Sequence, residues 1–311
     1  MIEEPRIEPR GRAAELIVAG APAKFWVYPA DPAATSTTGG QGEPIIVVVH
    51  GFRGDHHGLE QIAGRLGAAG SYRVVAPDLP GFGQAPAFPD RPHDLAGYTD
   101  WLIAFVETVA GAGPVIMVGH SFGSIVVASA LARGLVAERA VLINPIAAPA
   151  LSGPRGFLSR LAVGYYRLGA ALPRRIGLPL LRSRAITRML SEVMAKTGDR
   201  ELRRWIHDQH RRYFGAFADR NVVLESFRAS VSYDVSQFGT LIDIPVLLIA
   251  GEVDDITEVD QQRKLAATLP RAELLVIDAV GHLIHYEAPA RAAAAILAFV
   301  DQTNDVGGPR V

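Results

Sequence analysis

Six short apolar segments, each of strand length, place the strongest constraint on how this chain folds. β-Branched residues dominate them, and apolar and polar residues do not alternate. Such segments are typical of strands that are buried on both faces, as in a parallel sheet covered by helices. The segments are Ile45–Val49, Tyr72–Ala76, Pro114–Val118, Ala140–Ile143, Pro245–Ala250 and Glu273–Ile277.

Stretches with helical periodicity lie between most of these segments: Leu59–Ala69, Tyr98–Val109, Phe122–Arg133 and Val259–Thr268. Alternating strands and helices predict an α/β fold with a doubly wound, mostly parallel sheet. Near the start of the chain, Glu15–Ala19 and Lys24–Tyr28 flank Gly20-Ala21-Pro22, which predicts an antiparallel hairpin at one sheet edge. Residues 30–43 are turn-rich and predict a loop, and we expect the tail from Gln302 to be frayed.

The alternation stops between Pro145 and Arg228, where the segments are helical, aromatic and rich in arginine. It resumes at Ile244. This break predicts a helical cap inserted after the sixth strand. We therefore expect a catalytic domain made of residues 1–147 and 232–311, and a cap, or lid, domain made of residues 148–231.

Charge is distributed very unevenly along the chain. The whole chain of 311 residues has a net charge of −1, which argues against a nucleic-acid partner. Residues 145–228, however, carry 15 arginines and one lysine against six acidic residues, a net charge of +10, so the remainder carries −11. Solvated arginine faces, attraction to an anionic membrane or an acidic substrate, and a protein interface all fit this cap charge.

Two further features of the sequence limit the kinds of site and the location that we expect for this protein. The chain contains no cysteine, which excludes disulfides, thiolate metal sites and a cysteine nucleophile. It has no long apolar run that would predict a spanning helix, and its acidic start does not resemble a signal peptide. We therefore expect a cytoplasmic protein, either a monomer or a homodimer.

The sequence Gly119-His120-Ser121-Phe122-Gly123 directly follows the strand segment PVIMV and opens a helical stretch. A G-x-S-x-G pattern in this context predicts a sharp turn that lifts a nucleophilic serine hydroxyl clear of the sheet. The N–H of Phe122, at the start of the helix, would then point toward a developing oxyanion.

A serine hydroxyl needs a base, and the base needs an acid to orient it. We predict His282 as the base, because it follows the strand segment ELLVI near the edge of the sheet where α/β active sites collect. Asp254, shortly after the strand segment PVLLIA, is the favoured acid. Its neighbour Asp255 is the alternative, with a turn or helix-cap role as the simpler interpretation.

The loop His50-Gly51-Phe52-Arg53-Gly54 follows the strand segment IIVVV, and the N–H of Phe52 is the expected second oxyanion donor. We interpret His50 as a structural histidine. The clusters His56-His57, His207-x-x-His210 and His282-x-x-His285 do not match a metal-binding pattern, so we predict no metal and no cofactor.

Together, HGFRG, Asp78-Leu79-Pro80-Gly81-Phe82-Gly83, GHSFG, GEVD and GHLIHYEAP resemble the α/β-hydrolase superfamily, in particular its capped esterase, lipase and carbon–carbon hydrolase members. The resemblance covers about residues 13–147 and 232–300. It implies a Ser121, Asp254 and His282 triad with the N–H groups of Phe52 and Phe122 as the oxyanion hole. The haloalkane dehalogenases and epoxide hydrolases of this fold carry aspartate at the position of Ser121.

We therefore expect a serine hydrolase of the carboxylesterase or lipase type, acting on a small-molecule ester. Aromatic and methionine residues of the cap favour an apolar or acyl-chain substrate. A carbon–carbon bond hydrolase or an acyltransferase would use the same triad, and a cofactor-free haloperoxidase or a lyase is a further alternative. A non-catalytic binding receptor of this fold is the alternative from a different class. Peripheral contact of the basic cap with an anionic membrane is a further expectation.

Overall fold

The computed structural model describes residues 6–8, 11–28, 42–149 and 156–302. Eight strands of this part form one sheet: β1 (Arg12–Val18), β2 (Ala21–Tyr28), β3 (Ile45–Val49), β4 (Arg73–Pro77), β5 (Val115–His120), β6 (Arg139–Ile143), β7 (Val246–Gly251) and β8 (Ala272–Ile277). Their spatial order is β1-β2-β4-β3-β5-β6-β7-β8. The six strands from β3 to β8 run parallel, while β1 and β2 pair antiparallel at one edge. The mostly parallel sheet and the edge hairpin are both confirmed.

Three helices precede β6: α1 (His56–Ala68), α2 (Leu95–Ala110) and α3 (Phe122–Ala132). Three more follow β7: α9 (Val259–Thr268), α10 (Ile284–Glu287) and α11 (Pro289–Val300). Apolar side chains of α2, α3 and α9 pack on one face of the sheet, and those of α1 and α11 pack on the other. The sheet is therefore doubly wound.

The strand β3 shows why these segments lack alternation. Its residues Ile45, Val47 and Val49 belong to the core on one face, whereas Ile46 and Val48 belong to the core on the other. All five are fully buried. Every position of a central strand must therefore be apolar, and a continuous apolar run results.

Five helices lie between β6 and β7: α4 (Gly156–Ala171), α5 (Arg174–Leu181), α6 (Arg184–Met194), α7 (Arg200–Tyr213) and α8 (Arg220–Ser232). The helical insertion between two sheet strands is thus present where the alternation breaks. Main-chain hydrogen bonds and a short bridge between Phe82 and Phe217 join this insertion to the loop after β4. That it is a separate cap domain spanning residues 148–231 stays a prediction.

Some expectations concern residues outside the described ranges. The predicted loop at residues 30–43 is described only from residue 42 onward, and the tail is described only as far as residue 302. Across the described ranges, no helix combines the length and the apolarity needed to cross a membrane.

Candidate active site

The turn between β5 and α3 places Ser121 at the C-terminal end of the central strand. Ser121 has a φ of 52°, a conformation that non-glycine residues rarely adopt. Its N–H donates to Ile143 O at 3.1 Å, and its carbonyl accepts from the N–H of Ser124 at 2.9 Å. The side chain is half-buried. The backbone is therefore held in the strained shape that exposes a nucleophile at a strand-to-helix turn.

The glycine at position 123 is required by a close approach of two main chains. A Cβ on Gly123 would lie 2.4 Å from Val49 O and 2.6 Å from His50 O. These atoms belong to the main chain of β3 and of the loop after it. This main chain cannot move away without disturbing the sheet. The second glycine of the G-x-S-x-G pattern is thus explained by packing of α3 against β3.

We predict that Gly123→Ala lowers the free energy of unfolding by about 2–4 kcal/mol, because overpacking against a fixed backbone is strongly destabilising. Gly164→Ala is the matched control, since no atom lies within 4 Å of the Cβ that it adds in helix α4. Gly164→Ala should leave the free energy of unfolding unchanged or raise it by up to about 1 kcal/mol, because alanine has the higher helix propensity. Urea unfolding of both variants measures the difference, and equal stability would contradict the packing argument.

The three residues proposed as a triad are brought together at the C-terminal edge of the sheet. The Nε2 atom of His282 lies 3.0 Å from Ser121 Oγ, and its Nδ1 atom lies 2.8 Å from Asp254 Oδ2. These distances are within hydrogen-bond reach, so one imidazole joins the hydroxyl to the carboxylate. The arrangement has the geometry of a nucleophile, a base and an orienting acid.

Asp254 is held in place and kept ionised by its surroundings. Its carboxylate accepts from the N–H of Ile256 at 2.7 Å, the N–H of Thr257 at 3.1 Å and the hydroxyl of Thr257 at 2.5 Å. Burial alone would raise the pKa of Asp254, but attraction to His282 and these hydrogen bonds outweigh it, so the pKa lies below its ordinary value. Such a carboxylate can stabilise an imidazolium.

Asp255, the alternative acid, points elsewhere. Its side chain forms an ion pair with Lys196 Nζ at 2.5 Å, and it is largely exposed. Its partner Lys196 lies just after helix α6, in the helical insertion. The geometry therefore favours Asp254 as the partner of His282.

Asn144 joins the loops that carry Asp254 and His282. It follows β6 with a φ of 42° and is fully buried. Its Nδ2 donates to Gly281 O at 3.1 Å, and its Oδ1 accepts from the N–H of Gly251 at 2.8 Å. The sequence shows that an amide stands after the sixth strand, but only the fold reveals that this amide fixes the two loops relative to each other.

Glu287 ties the helical insertion to the histidine loop. Its buried carboxylate accepts from the N–H groups of Lys196 at 2.6 Å, Thr197 at 2.7 Å and Gly281 at 3.0 Å. Burial raises the pKa of this carboxyl despite those hydrogen bonds. Sequence analysis does not identify Glu287, because its partners lie up to 91 residues away.

The two segments that carry the expected oxyanion donors both lie beside Ser121. Phe122 is the first residue of helix α3. The loop that carries Phe52 approaches from β3, since a Cβ on Gly51 would lie 3.1 Å from Ser121 Cβ. The half-buried ring of Phe52 contacts the rings of Phe82, Tyr166 and Phe227. Donation to an oxyanion by Phe52 and Phe122 stays a prediction.

Arg53, the neighbour of Phe52, is an unexpected feature of this loop. Its side chain is 1 % exposed, and its φ is 59°. The guanidinium donates to three groups of the insertion, namely Phe214 O at 3.0 Å, Leu181 O at 3.2 Å and the Tyr166 hydroxyl at 3.4 Å. It also lies 4.6 Å from the centre of the Phe214 ring. Arg53 therefore connects the helical insertion directly to the loop beside Ser121.

Structural roles account for several histidines near the site. The ring of His50 bonds Gly51 O at 2.8 Å through Nδ1 and accepts from the N–H of Leu79 at 2.9 Å through Nε2, as expected for a loop-fixing residue. His120 and His285 are buried beside His282. Burial, followed by the nearby charge of His282, lowers the pKa of His120 to about 3. Both residues are therefore neutral in the folded protein at ordinary pH.

One group among the described residues has atoms spaced closely enough to hold a metal ion, namely Asp55, His56 and His57. These side chains already have partners, however. His56 bonds the Asp78 carboxylate at 2.8 Å and stacks on Trp26, while Asp55 caps helix α1 and contacts His57 at 3.2 Å. The cluster is explained by these contacts.

Comparison with known proteins agrees with the fold. The model of the family described as "Alpha/beta hydrolase family" matches residues 46–295, so this chain belongs to the alpha/beta hydrolase family. The resemblance noted in the sequence is confirmed.

The chain is similar to the dihydrolipoyllysine-residue acetyltransferase component of the acetoin cleaving system of Pseudomonas putida, at 27 % identity over 266 residues. That match covers 84 % of this chain but only 65 % of the relative's own length. A pimeloyl-[acyl-carrier protein] methyl ester esterase of Neisseria meningitidis serogroup B is 27 % identical over 254 residues, which is 78 % of this chain and 88 % of the esterase.

Among solved structures, a thermophilic esterase from Thermogutta terrifontis superposes with a TM-score of 0.70 at 20 % identity. The superposition covers 93 % of this chain and 98 % of the esterase. This likeness establishes the shared fold.

Proposed function

We propose that this protein is a serine hydrolase that cleaves a carboxylic ester through an acyl-enzyme. The observation that carries the proposal is the placement of His282 between Ser121 Oγ and Asp254, at 3.0 and 2.8 Å. The esterases among its similar proteins support the same reaction class.

In the proposed mechanism, His282 Nε2 takes the proton of Ser121 as Oγ attacks the ester carbonyl carbon. The N–H groups of Phe52 and Phe122 stabilise the resulting oxyanion, at about 3–4 kcal/mol of barrier for each donor. Asp254 accepts from His282 Nδ1–H and stabilises the imidazolium. His282 then protonates the leaving alcohol oxygen as the acyl-enzyme forms.

Deacylation repeats these steps with water. His282 removes a proton from water as the water oxygen attacks the acyl carbon, and Ser121 Oγ leaves and regains its proton. The carboxylic acid is released, and the enzyme returns to its starting state. No step requires a metal or an organic cofactor.

An apolar acyl group is the proposed substrate feature. The rings of Phe52, Tyr166 and Phe227 contact one another at 4.4–5.6 Å between centroids, beside the loop that flanks Ser121. Two of these rings come from helices of the insertion and one from the body of the protein. Aromatic walls of this kind favour apolar groups over charged ones.

A panel of p-nitrophenyl esters with acyl chains of two to twelve carbons tests both parts of this proposal. We expect kcat/KM to rise with chain length over the first few carbons, by up to about tenfold for two added methylene groups in an apolar pocket. Labelling of Ser121 by a fluorophosphonate should accompany hydrolysis. No hydrolysis and no labelling would instead favour the non-catalytic receptor.

Acyl transfer is distinguished from hydrolysis on the same panel. Adding a primary alcohol at increasing concentration makes it compete with water for the acyl-enzyme. We expect the free acid to remain the main product. An ester product that dominates at millimolar alcohol would reassign the protein as an acyltransferase.

A further inference from the structure

A cavity of about 380 Å³ lies between helices α6 and α7, in the helical insertion. It is lined by Arg184, Thr187, Arg188, Arg204, His207, Asp208 and Arg211. Four of these seven residues are arginines, and one is acidic. The cavity therefore lies within the strongly basic segment of residues 145–228.

Two of the four arginines of this cavity are balanced by neighbouring acids, and two are not. Arg188 pairs with Glu192, and Arg211 pairs with Asp208. Arg184 and Arg204, by contrast, have no carboxylate within ion-pair distance among the described residues. The Nε atom of Arg204 donates only to a main-chain carbonyl, that of Arg200. The cavity therefore presents uncompensated guanidinium groups.

A buried histidine, His207, also lines the cavity. The side chain of His207 is 4 % exposed, and its Nδ1 atom bonds Ser191 Oγ at 2.6 Å. Its Nε2 atom is buried and lies 3.3 Å from the carboxylate oxygen Oε2 of Glu192. His207 therefore fixes the cavity wall through its contacts with Ser191 and Glu192.

We propose that this cavity binds the phosphate group of a small ligand or of a lipid headgroup. Guanidinium groups match phosphate because they offer paired N–H donors and a fixed positive charge. A phosphate monoester has three acceptor oxygens and nearly two negative charges, enough to engage Arg184 and Arg204 together. This site is separate from Ser121 and does not depend on ester hydrolysis.

Isothermal titration with phenyl phosphate tests the site on the full-length protein. The double variant Arg184→Gln/Arg204→Gln removes the two unbalanced guanidinium groups. The matched control, Arg175→Gln/Arg228→Gln, removes two exposed arginines from α5 and α8, outside the cavity. We expect saturable binding that is about tenfold weaker in the cavity variant and unchanged within about twofold in the control. Thermal unfolding checks that both variants are folded.

A vesicle flotation assay distinguishes a free phosphate ligand from a lipid headgroup. Vesicles containing phosphatidic acid are compared with vesicles of phosphatidylcholine alone, using the same three proteins. Phenyl phosphate binding without flotation identifies a free ligand, whereas flotation with phosphatidic acid that the cavity variant loses identifies a lipid headgroup. The proposal is overturned if neither probe binds, or if the cavity and control variants lose binding equally.

Discussion

Replacing Ser121 by alanine should lower kcat for a short aryl ester by about 10⁴- to 10⁶-fold, with the fold unchanged. The reason is that His282 lies 3.0 Å from Ser121 Oγ, and no other nucleophile of the described site has this contact. Alanine keeps the methylene group that packs in the turn and removes only the oxygen. Steady-state hydrolysis and circular dichroism measure the two parts of the result. Turnover close to that of the wild type would refute the acyl-enzyme mechanism.

The two adjacent aspartates provide an internal comparison for the same mechanism. Asp254→Asn should lower kcat by about 10⁴-fold, because an amide no longer stabilises the imidazolium and favours the wrong tautomer of His282. Asp255→Asn removes a charge of the same kind one residue away, where the carboxylate pairs with Lys196. That change should alter kcat by no more than about twofold. A larger loss of kcat in Asp255→Asn than in Asp254→Asn would instead identify Asp255 as the acid.

The layout of the sheet could be predicted because it depends on local patterns. Buried parallel strands must be apolar at every position, and the β3 and α9 segments have the bounds that the sequence indicates. The other strand segments differ from the predicted bounds by one or two residues at an end, except that β1 and β2 each begin three residues earlier than predicted. The spatial proximity of Ser121, Asp254 and His282 follows from the same logic, since the ends of parallel strands meet at one edge of a sheet.

The contacts that orient this site could not be predicted, because they join residues far apart in the chain. Asn144 bonds main-chain atoms 107 and 137 residues away. Arg53 reaches carbonyl groups 128 and 161 residues away. The hydropathy and periodicity of a sequence do not indicate that a cation will be buried and bonded to carbonyl oxygens. The bonding of Arg53 to the helical insertion can be recognised only from the packed structure.

A chain of buried histidines runs from the insertion toward the triad. His210 Nδ1 bonds Ser191 Oγ at 2.7 Å, and the rings of His210 and His285 both contact Tyr286. The ring of His285 lies 4.3 Å from that of His120, which contacts His282 in turn. Burial disfavours the charged form of His120, His210 and His285, so each is neutral in the folded protein.

Because these histidines are buried in their neutral form, the free energy of unfolding should decrease as the pH falls from 7 to 5. Burial, followed by nearby histidine charge, lowers the pKa values of His120 and His210 to about 3, and it lowers the pKa of His285 well below its ordinary value. In the unfolded chain each has a pKa of about 6.5 and takes up a proton in this range. The unfolded state therefore binds more protons, and each histidine removes up to about 2 kcal/mol from the free energy of unfolding over this interval.

Urea unfolding at pH 7, 6 and 5 measures this loss, and two single variants identify its source. Burial alone would lower the pKa of His57, but the hydrogen bond and charge of Asp55, with the nearby charges of Glu60 and Asp78, together outweigh it, so the pKa is raised. Its stabilisation therefore grows as the pH falls, opposite in sign to that of the buried cluster. His210→Gln should make the dependence on pH shallower, whereas His57→Gln should make it steeper. A free energy of unfolding that is constant or rises from pH 7 to 5 would mean that the buried histidines take up protons in the folded state.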